Sequence, residues 1–162
     1  DYSVDAIVGV GSGVINDICK IIAKMSNKPY AIVATAPSMD GYASATSSVT
    51  RDGLKISLNS KCANVVIGDI DILKNAPLHM LKSGLGDMIA KYVSICEWRI
   101  SNLITGEYYC EKIAKLTRDA VDELIKMADK VCLNDEYVAG KIFEASLYLD
   151  KDEKRIKSKF DN

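Results

Sequence analysis

The sequence predicts an α/β unit built on a parallel sheet, followed by an all-α segment. Three observations carry this expectation. Two short apolar runs flank a helical period near the start. A glycine cluster joins the first run to that helix. From Ile70 onward the apolar residues recur almost wholly at helical spacing. Ala6-Ile7-Val8-Gly9-Val10 reads as a buried strand, and Gly11-Ser12-Gly13 as the turn after it. Val14, Ile18, Ile21, Ile22 and Met25 then form one helical stripe, with Asn16, Asp17, Lys20 and Lys24 on the other face. Ser26-Asn27-Lys28-Pro29 ends that helix, because the residue before a proline disfavours the α conformation. Tyr30-Ala31-Ile32-Val33-Ala34 is a second buried strand. Strand, turn, helix, strand is a βαβ unit, so these strands should run parallel.

Residues 35–48 are small and polar, lack a period, and read as a loop. Residues 48–58 read as a hairpin. Asp52-Gly53 is its turn, and Leu54, Ile56 and Leu58 alternate with Lys55 and Ser57. Ala63–Ile67 is a further short strand, and Pro77 opens a helix. Met88, Ile89, Tyr92, Val93 and Cys96 form one apolar helical face. Ile113, Leu116, Ala120, Leu124, Ala128 and Val131 form another, on one long helix. The expected division is 1–70 for the α/β part and 71–150 for the helical part, with 151–162 as a charged tail. Neither part looks complete, since a parallel sheet needs cover on both faces. The chain reads as the middle of a larger two-domain protein.

Composition narrows the function classes. The 162 residues are 48% hydrophobic and 27% charged, as in a soluble globular chain. Twenty-one basic and 22 acidic residues give a net charge of −1, which argues against a general nucleic-acid binder. No apolar run reaches the ~20 residues that span a bilayer, and no signal peptide is visible. The five cysteines are odd in number and contain no CxxC pair. They fit buried or half-buried free thiols in a reducing, cytoplasmic compartment. The single histidine, His79, does not make a metal site and has no context for a hydrolase triad.

Three segments can carry chemistry. Gly9-Val10-Gly11-Ser12-Gly13 lies between strand and helix, where bare backbone and free N–H groups suit a pyrophosphate. Val14 stands where the dinucleotide fingerprint has its third glycine, so a ligand-free turn is the alternative. Thr35 to Ser44 follows the carboxyl end of a strand and offers hydroxyls, amides and the carboxylate of Asp40. The alternative is a surface turn. Ser83-Gly84-Leu85-Gly86-Asp87 opens a helix. Asp87 is either a metal ligand or a helix-start acid paired with Lys91.

Together these segments resemble the sn-glycerol-1-phosphate dehydrogenase family, especially its bacterial AraM-like branch. That family belongs to the dehydroquinate synthase-like, iron-type alcohol dehydrogenase superfamily. The matching residues are Gly9-Val-Gly-Ser-Gly-Val-Ile-Asn-Asp17 with Lys20, and Thr35-Ala-Pro-Ser-Met-Asp-Gly-Tyr-Ala-Ser44. Gly68-Asp69 with Asp71, Ser83-Gly-Leu-Gly-Asp87 with Ala90-Lys91-Tyr92, and Gly106-Glu-Tyr-Tyr-Cys110 complete them. The resemblance covers roughly residues 4–145. It implies a partial Rossmann-like cofactor domain and a partial helical domain. It implies an NAD(P)- and metal-dependent oxidoreductase that reduces dihydroxyacetone phosphate to sn-glycerol 1-phosphate for phospholipid biosynthesis. The metal would be zinc, or nickel in the AraM-like branch, and the full-length protein could form a homodimer. By the same resemblance, Gly11, Gly13, Val14, Ile15, Asn16 and Asp17 would hold the cofactor, with Thr35, Ala36, Pro37, Ser38 and Ser44. Asp40 would bind the substrate. Asp87 would bind substrate and metal and so be catalytic.

The family completes its metal site with two downstream histidines, and this sequence has none after His79. The expectation is therefore a fragment, or the product of a broken gene, that is inactive alone. Competing readings are a glycerol or other polyol dehydrogenase of the same superfamily and a non-catalytic nucleotide-binding remnant. Dehydroquinate synthase itself is disfavoured by the Thr35–Ser44 block.

Overall fold

A computed structural model of the chain describes residues 3–133 and 135–147. The expected charged tail, 151–162, lies outside the described residues. Strands β1 (Ile7–Gly11), β2 (Tyr30–Ala34) and β5 (Val65–Gly68) form a parallel sheet in the order β1-β2-β5. Helix α1 (Gly13–Ser26) connects β1 to β2, as the βαβ reading requires. Asn27 caps it in the left-handed conformation, at φ 52°, and its N–H closes on the carbonyls of Ala23 and Lys24. Strands β3 (Thr46–Arg51) and β4 (Leu54–Asn59) form a separate antiparallel hairpin. Asp52 and Gly53 both take positive φ at its tip, the two-residue turn expected of an Asp-Gly pair. The rest is helical: α2 (Ile70–Leu73), α3 (Leu78–Ile89), α4 (Lys91–Thr105), α5 (Glu111–Ile125), a 3₁₀ turn (Ala128–Leu133) and α6 (136–147).

The periodicity of α1 is correct, but its expected core face is not. Val14, Ile18, Ile22 and Met25 are exposed, whereas Asn16, Lys20 and Ala23 have no solvent exposure at all. The side facing β1 and the hairpin is the one that carries the polar residues. The sheet is likewise half-covered. Tyr30, Ile32 and Ala34 are buried against α1 and α6, while Val8, Val10, Val65 and Ile67 are exposed on the opposite face. Among the described residues no element covers that face.

Both helical periodicities are interrupted, the second where one long helix is expected. Ala90 separates α3 from α4, and the face read over Met88–Cys96 splits: Met88 is buried, while Ile89, Val93 and Cys96 are exposed. Helix α5 ends at Ile125, and the stripe continues through the 3₁₀ turn to the buried Val131. Leu116 is half exposed, and Thr117 takes the inward position instead. Of the five free thiols, Cys96 and Cys132 are exposed and the other three half-buried.

Two apolar clusters hold these elements together. One joins Leu81, Met88, Val121, Leu124, Val131, Val138 and Ile142 of the helical part. The other joins Ala23, Tyr30, Ile32, Ala34, Tyr42, Leu73 and Phe143 around the sheet. Helix α6 feeds both, through Ile142 and Phe143. The loop after β2 does the same, with Ala36 in the first cluster and Tyr42 in the second. The Tyr42 hydroxyl donates to the Ala36 carbonyl at 2.7 Å, and its ring meets Phe143 edge-on at 5.4 Å. Burial pushes the Tyr42 hydroxyl up to about 12, so it remains a donor at any ordinary pH.

Helix α3 lies directly on this loop, because Gly84 has no side chain. A Cβ there would stand 1.8 Å from the Pro37 carbonyl oxygen, a backbone atom that cannot swing away. Gly86, two residues on and on the opposite side of the helix, has nothing within 4 Å of such a Cβ. Gly84→Ala should therefore cost ~3 kcal/mol or more, by forced separation of loop and helix. Gly86→Ala should stabilise by about 0.5–1 kcal/mol, through helix propensity alone. Urea unfolding of the two variants checks this pair, and equal effects would contradict the packing argument.

Candidate functional site at the end of the parallel sheet

The start of α1, which follows β1, the loop after β2, the hairpin and Asp87 of α3 surround one open cleft of about 780 Å³. That volume suits a cofactor-sized ligand. Gly13, Val14, Asp17, Asp40, Ser44 and Asp87 line it, so the fold brings together residues from all three segments singled out in the sequence. Met39, Thr46, Ser48 and Lys55 line it as well.

Helix α1 starts where Ser12 takes an extended conformation and accepts the Gly13 N–H at 2.7 Å on its hydroxyl. The same hydroxyl lies 2.9 Å from the Ser38 hydroxyl, which ties the helix start to the loop. The other predicted residues stand back from the cleft. The Thr35 N–H donates to the Gly11 carbonyl, extending the pairing of β1 and β2 by one bond. Ala36 and Pro37 are buried beneath α3. Ile15 is exposed without lining the cleft. Asn16 is fully buried. Its amide donates to the Gly41 carbonyl at 2.9 Å and its side-chain oxygen accepts from the Tyr30 hydroxyl at 2.8 Å.

Asp40 and Asp87 meet at the far rim. The Asp40 N–H donates to Asp87 Oδ2 at 2.9 Å, and the Asp40 carboxylate is ion-paired with Lys91 of α4. Desolvation by burial raises the Asp87 carboxyl above its usual range, and the Lys55 charge partly opposes this. Asp87 is thus a desolvated carboxylate facing open space. Such a group gains from a cation or a hydrogen-bond donor placed there.

A metal needs more than this. Catalytic zinc takes about three protein ligands. Among the described residues no group of three or more His, Cys, Asp or Glu stands close enough to hold an ion. His79 is exposed on the first turn of α3, away from the cleft lining. The described residues supply one ligand and do not make a metal site by themselves.

Two side chains have a place in the cleft that sequence reasoning did not give them. Lys20, singled out only as a matching residue on the polar face of its helix, is buried at the cleft wall. Lys55, read as one of the polar residues of an alternating strand, lines the cleft, and its charge acts on Asp87. A further signal for Lys20 is its spacing from Asn16, four apart on one helix face.

The comparisons agree with the geometry. Residues 1–77 match the family described as iron-containing alcohol dehydrogenase. The chain is 33% identical over 132 residues to the glycerol-1-phosphate dehydrogenase [NAD(P)+] of Halalkalibacterium halodurans, covering 82% of this chain and 33% of that protein. It is 34% identical over 143 residues to the enzyme of the same name from Thermococcus sibiricus, covering 88% and 41%. The crystal structure of glycerol dehydrogenase from Schizosaccharomyces pombe superposes with a TM-score of 0.77 at 26% identity, covering 91% of this chain and 40% of that one. An iron-containing alcohol dehydrogenase from Thermotoga maritima gives 0.75 at 17% identity, a likeness of fold alone, covering 90% and 44%.

The raised Asp87 sets a pH-dependent stability with a definite sign. A carboxyl whose folded pKa lies above its unfolded one favours the folded state below the unfolded pKa. That contribution is lost as pH rises through the folded pKa. Asp87→Asn should therefore melt higher than the wild type at neutral pH. The gain should vanish as pH falls below the ordinary carboxylate range, where both states are protonated. Thermal melts across pH test this, and a destabilised variant at pH 7 would count against it. In sum, the chain has the fold of the solved glycerol and iron-containing alcohol dehydrogenases and is similar in sequence to the glycerol-1-phosphate dehydrogenases, spanning about a third of the length of the curated relatives it matches.

Proposed function

We propose that the cleft is the shared nucleotide and substrate site of an NAD(P)-dependent dehydrogenase acting on dihydroxyacetone phosphate and sn-glycerol 1-phosphate. The observation that carries this reading is the convergence of the α1 start, Asp40 and Asp87 on one cavity at the carboxyl end of a parallel sheet. Ligands of open α/β sheets bind at such ends. The free N–H groups of the first turn of α1 face a pyrophosphate, and Gly13 leaves room for its approach. Ser44 lies on the same wall. Lys55 offers the positive charge that a phosphorylated ligand requires. Asp40, held by Lys91, accepts from a substrate hydroxyl across the cleft.

A divalent metal, zinc or nickel, would polarise the ketone oxygen when bound, and Asp87 is the one ligand this chain offers. One carboxylate is too few, so the chain by itself binds nucleotide without turning over substrate. A polyol dehydrogenase is the second reading, favoured by the superposition on a glycerol dehydrogenase. Its substrate would lack the phosphate that Lys55 suits.

Titration of NADH and NADPH by fluorescence tests the cleft. Gly13→Val places two methyl groups at the helix start, where a Cβ meets only Met39, at 3.5 Å. Nucleotide affinity should fall roughly tenfold or more, about 1.4 kcal/mol, while the fold is kept. Undiminished affinity would remove the site from α1. Consumption of NADH by the purified chain with dihydroxyacetone phosphate and zinc or nickel would overturn its inactivity alone. Reduction of NAD+ with glycerol accepted and glycerol phosphate refused would favour the second reading.

A further inference from the structure

The Gly41 carbonyl is the meeting point of two side chains from one helix. Asn16 Nδ2 donates to it at 2.9 Å and Lys20 Nζ at 2.8 Å, and the two residues sit four apart on α1. Lys20 also reaches Asp17 Oδ1 at 3.1 Å, Ser44 Oγ at 2.9 Å and the Thr46 carbonyl at 2.8 Å. Asn16 is braced from beneath by the Tyr30 hydroxyl of β2. Both residues have 0% exposure, so neither has a free surface to offer a ligand. A buried ammonium with four oxygen acceptors is fully occupied in holding backbone.

We propose that Asn16 and Lys20 are positioning residues. Their joint hold on the Gly41 carbonyl fixes the turn that presents Asp40 to Asp87 and Ser44 to the cleft. The loop from 39 to 45 has little regular structure of its own, and Asp40 sits one residue before the clamped carbonyl. With the clamp released, the turn exchanges among conformations, and the cleft must be ordered anew for each binding event. This assigns Asn16 to the support of the site rather than to contact with a cofactor, and it gives Lys20 a role absent from the sequence reading.

The effect on affinity rests on the nucleotide reading above; the effect on loop order does not. Lys20→Met keeps the length of the side chain and removes its donors. Amide hydrogen exchange should accelerate roughly tenfold or more at residues 41–46. The amides of β1 and β2 should keep their protection. NADH affinity should fall by a similar factor, and the ratio of wild type to variant should be the same at low and high salt. An ammonium in direct contact with phosphate would instead lose its advantage as salt screens it. Unchanged exchange at 41–46 would overturn the proposal, and so would an affinity ratio that collapses at high salt. If the wild type binds no nucleotide, the proposed function fails while the exchange experiment still judges the clamp. If Lys20→Met does not fold, Asn16→Ala removes the second donor. The same exchange comparison on that variant then decides.

Discussion

An ammonium group at 0% exposure is the feature around which the cleft is organised. Leaving such a charge unpaired would cost several kcal/mol, more than most single contacts return. Lys20 therefore dictates its surroundings. Four oxygens converge on it, and three of them come from the 41–46 stretch, which they help to hold over α1. The fourth, from Asp17, completes an i,i+3 ion pair within the helix. The second Asp17 oxygen accepts the Ser48 N–H, so the same helix turn also seats the hairpin.

From this fixed turn the structure extends in two directions. On one side Ser44 and Thr46 lead into β3. On the other, Asp40 crosses to Asp87 and Lys91, which belong to different helices. The loop can reach those helices because Gly84 lets α3 rest on Pro37. Two kinds of constraint thus act together. A steric one sets the distance between loop and helix, and a polar one sets the orientation of the turn. Tyr42 joins them, since its ring packs with Phe143 while its hydroxyl holds the Ala36 carbonyl.

Much of the local structure is legible in the residues. The apolar runs, the Asp52-Gly53 turn and the helix-ending Ser26–Pro29 segment each follow from short-range backbone preferences, and each lies where those preferences put it. The residue types that line the cleft are legible too, because glycines, hydroxyls and acids after strand ends suit a ligand, although they suit plain turns as well. Burial is less legible. The stripe Val14-Ile18-Ile22-Met25 has a sound helical period, yet it is the exposed side of α1. Amphipathic period says which residues share a face, not which face meets the sheet. The breaks at Ala90 and after Ile125 are similarly hidden, since no glycine or proline marks either one.

The sequence by itself determined the order of the strands and the first helix, the position of the hairpin, the helical character of the second part and the likeness to glycerol-1-phosphate dehydrogenases. All of these depend on residues close together in the chain or on motifs of fixed spacing. The tertiary structure decided what no local pattern encodes. Lys20 is buried rather than solvated, and Asn16 supports the loop rather than facing the cleft. Asp87 does not open a helix but lies near the carboxyl end of α3, desolvated beside Asp40, and Lys91 pairs with Asp40 rather than with it; one sheet face and one helix face stay exposed. The physical reason is the same in each case. Solvation, hydrogen-bond partners and pKa belong to the three-dimensional surroundings of a group, and residues from 25 to 47 positions away supply those surroundings here.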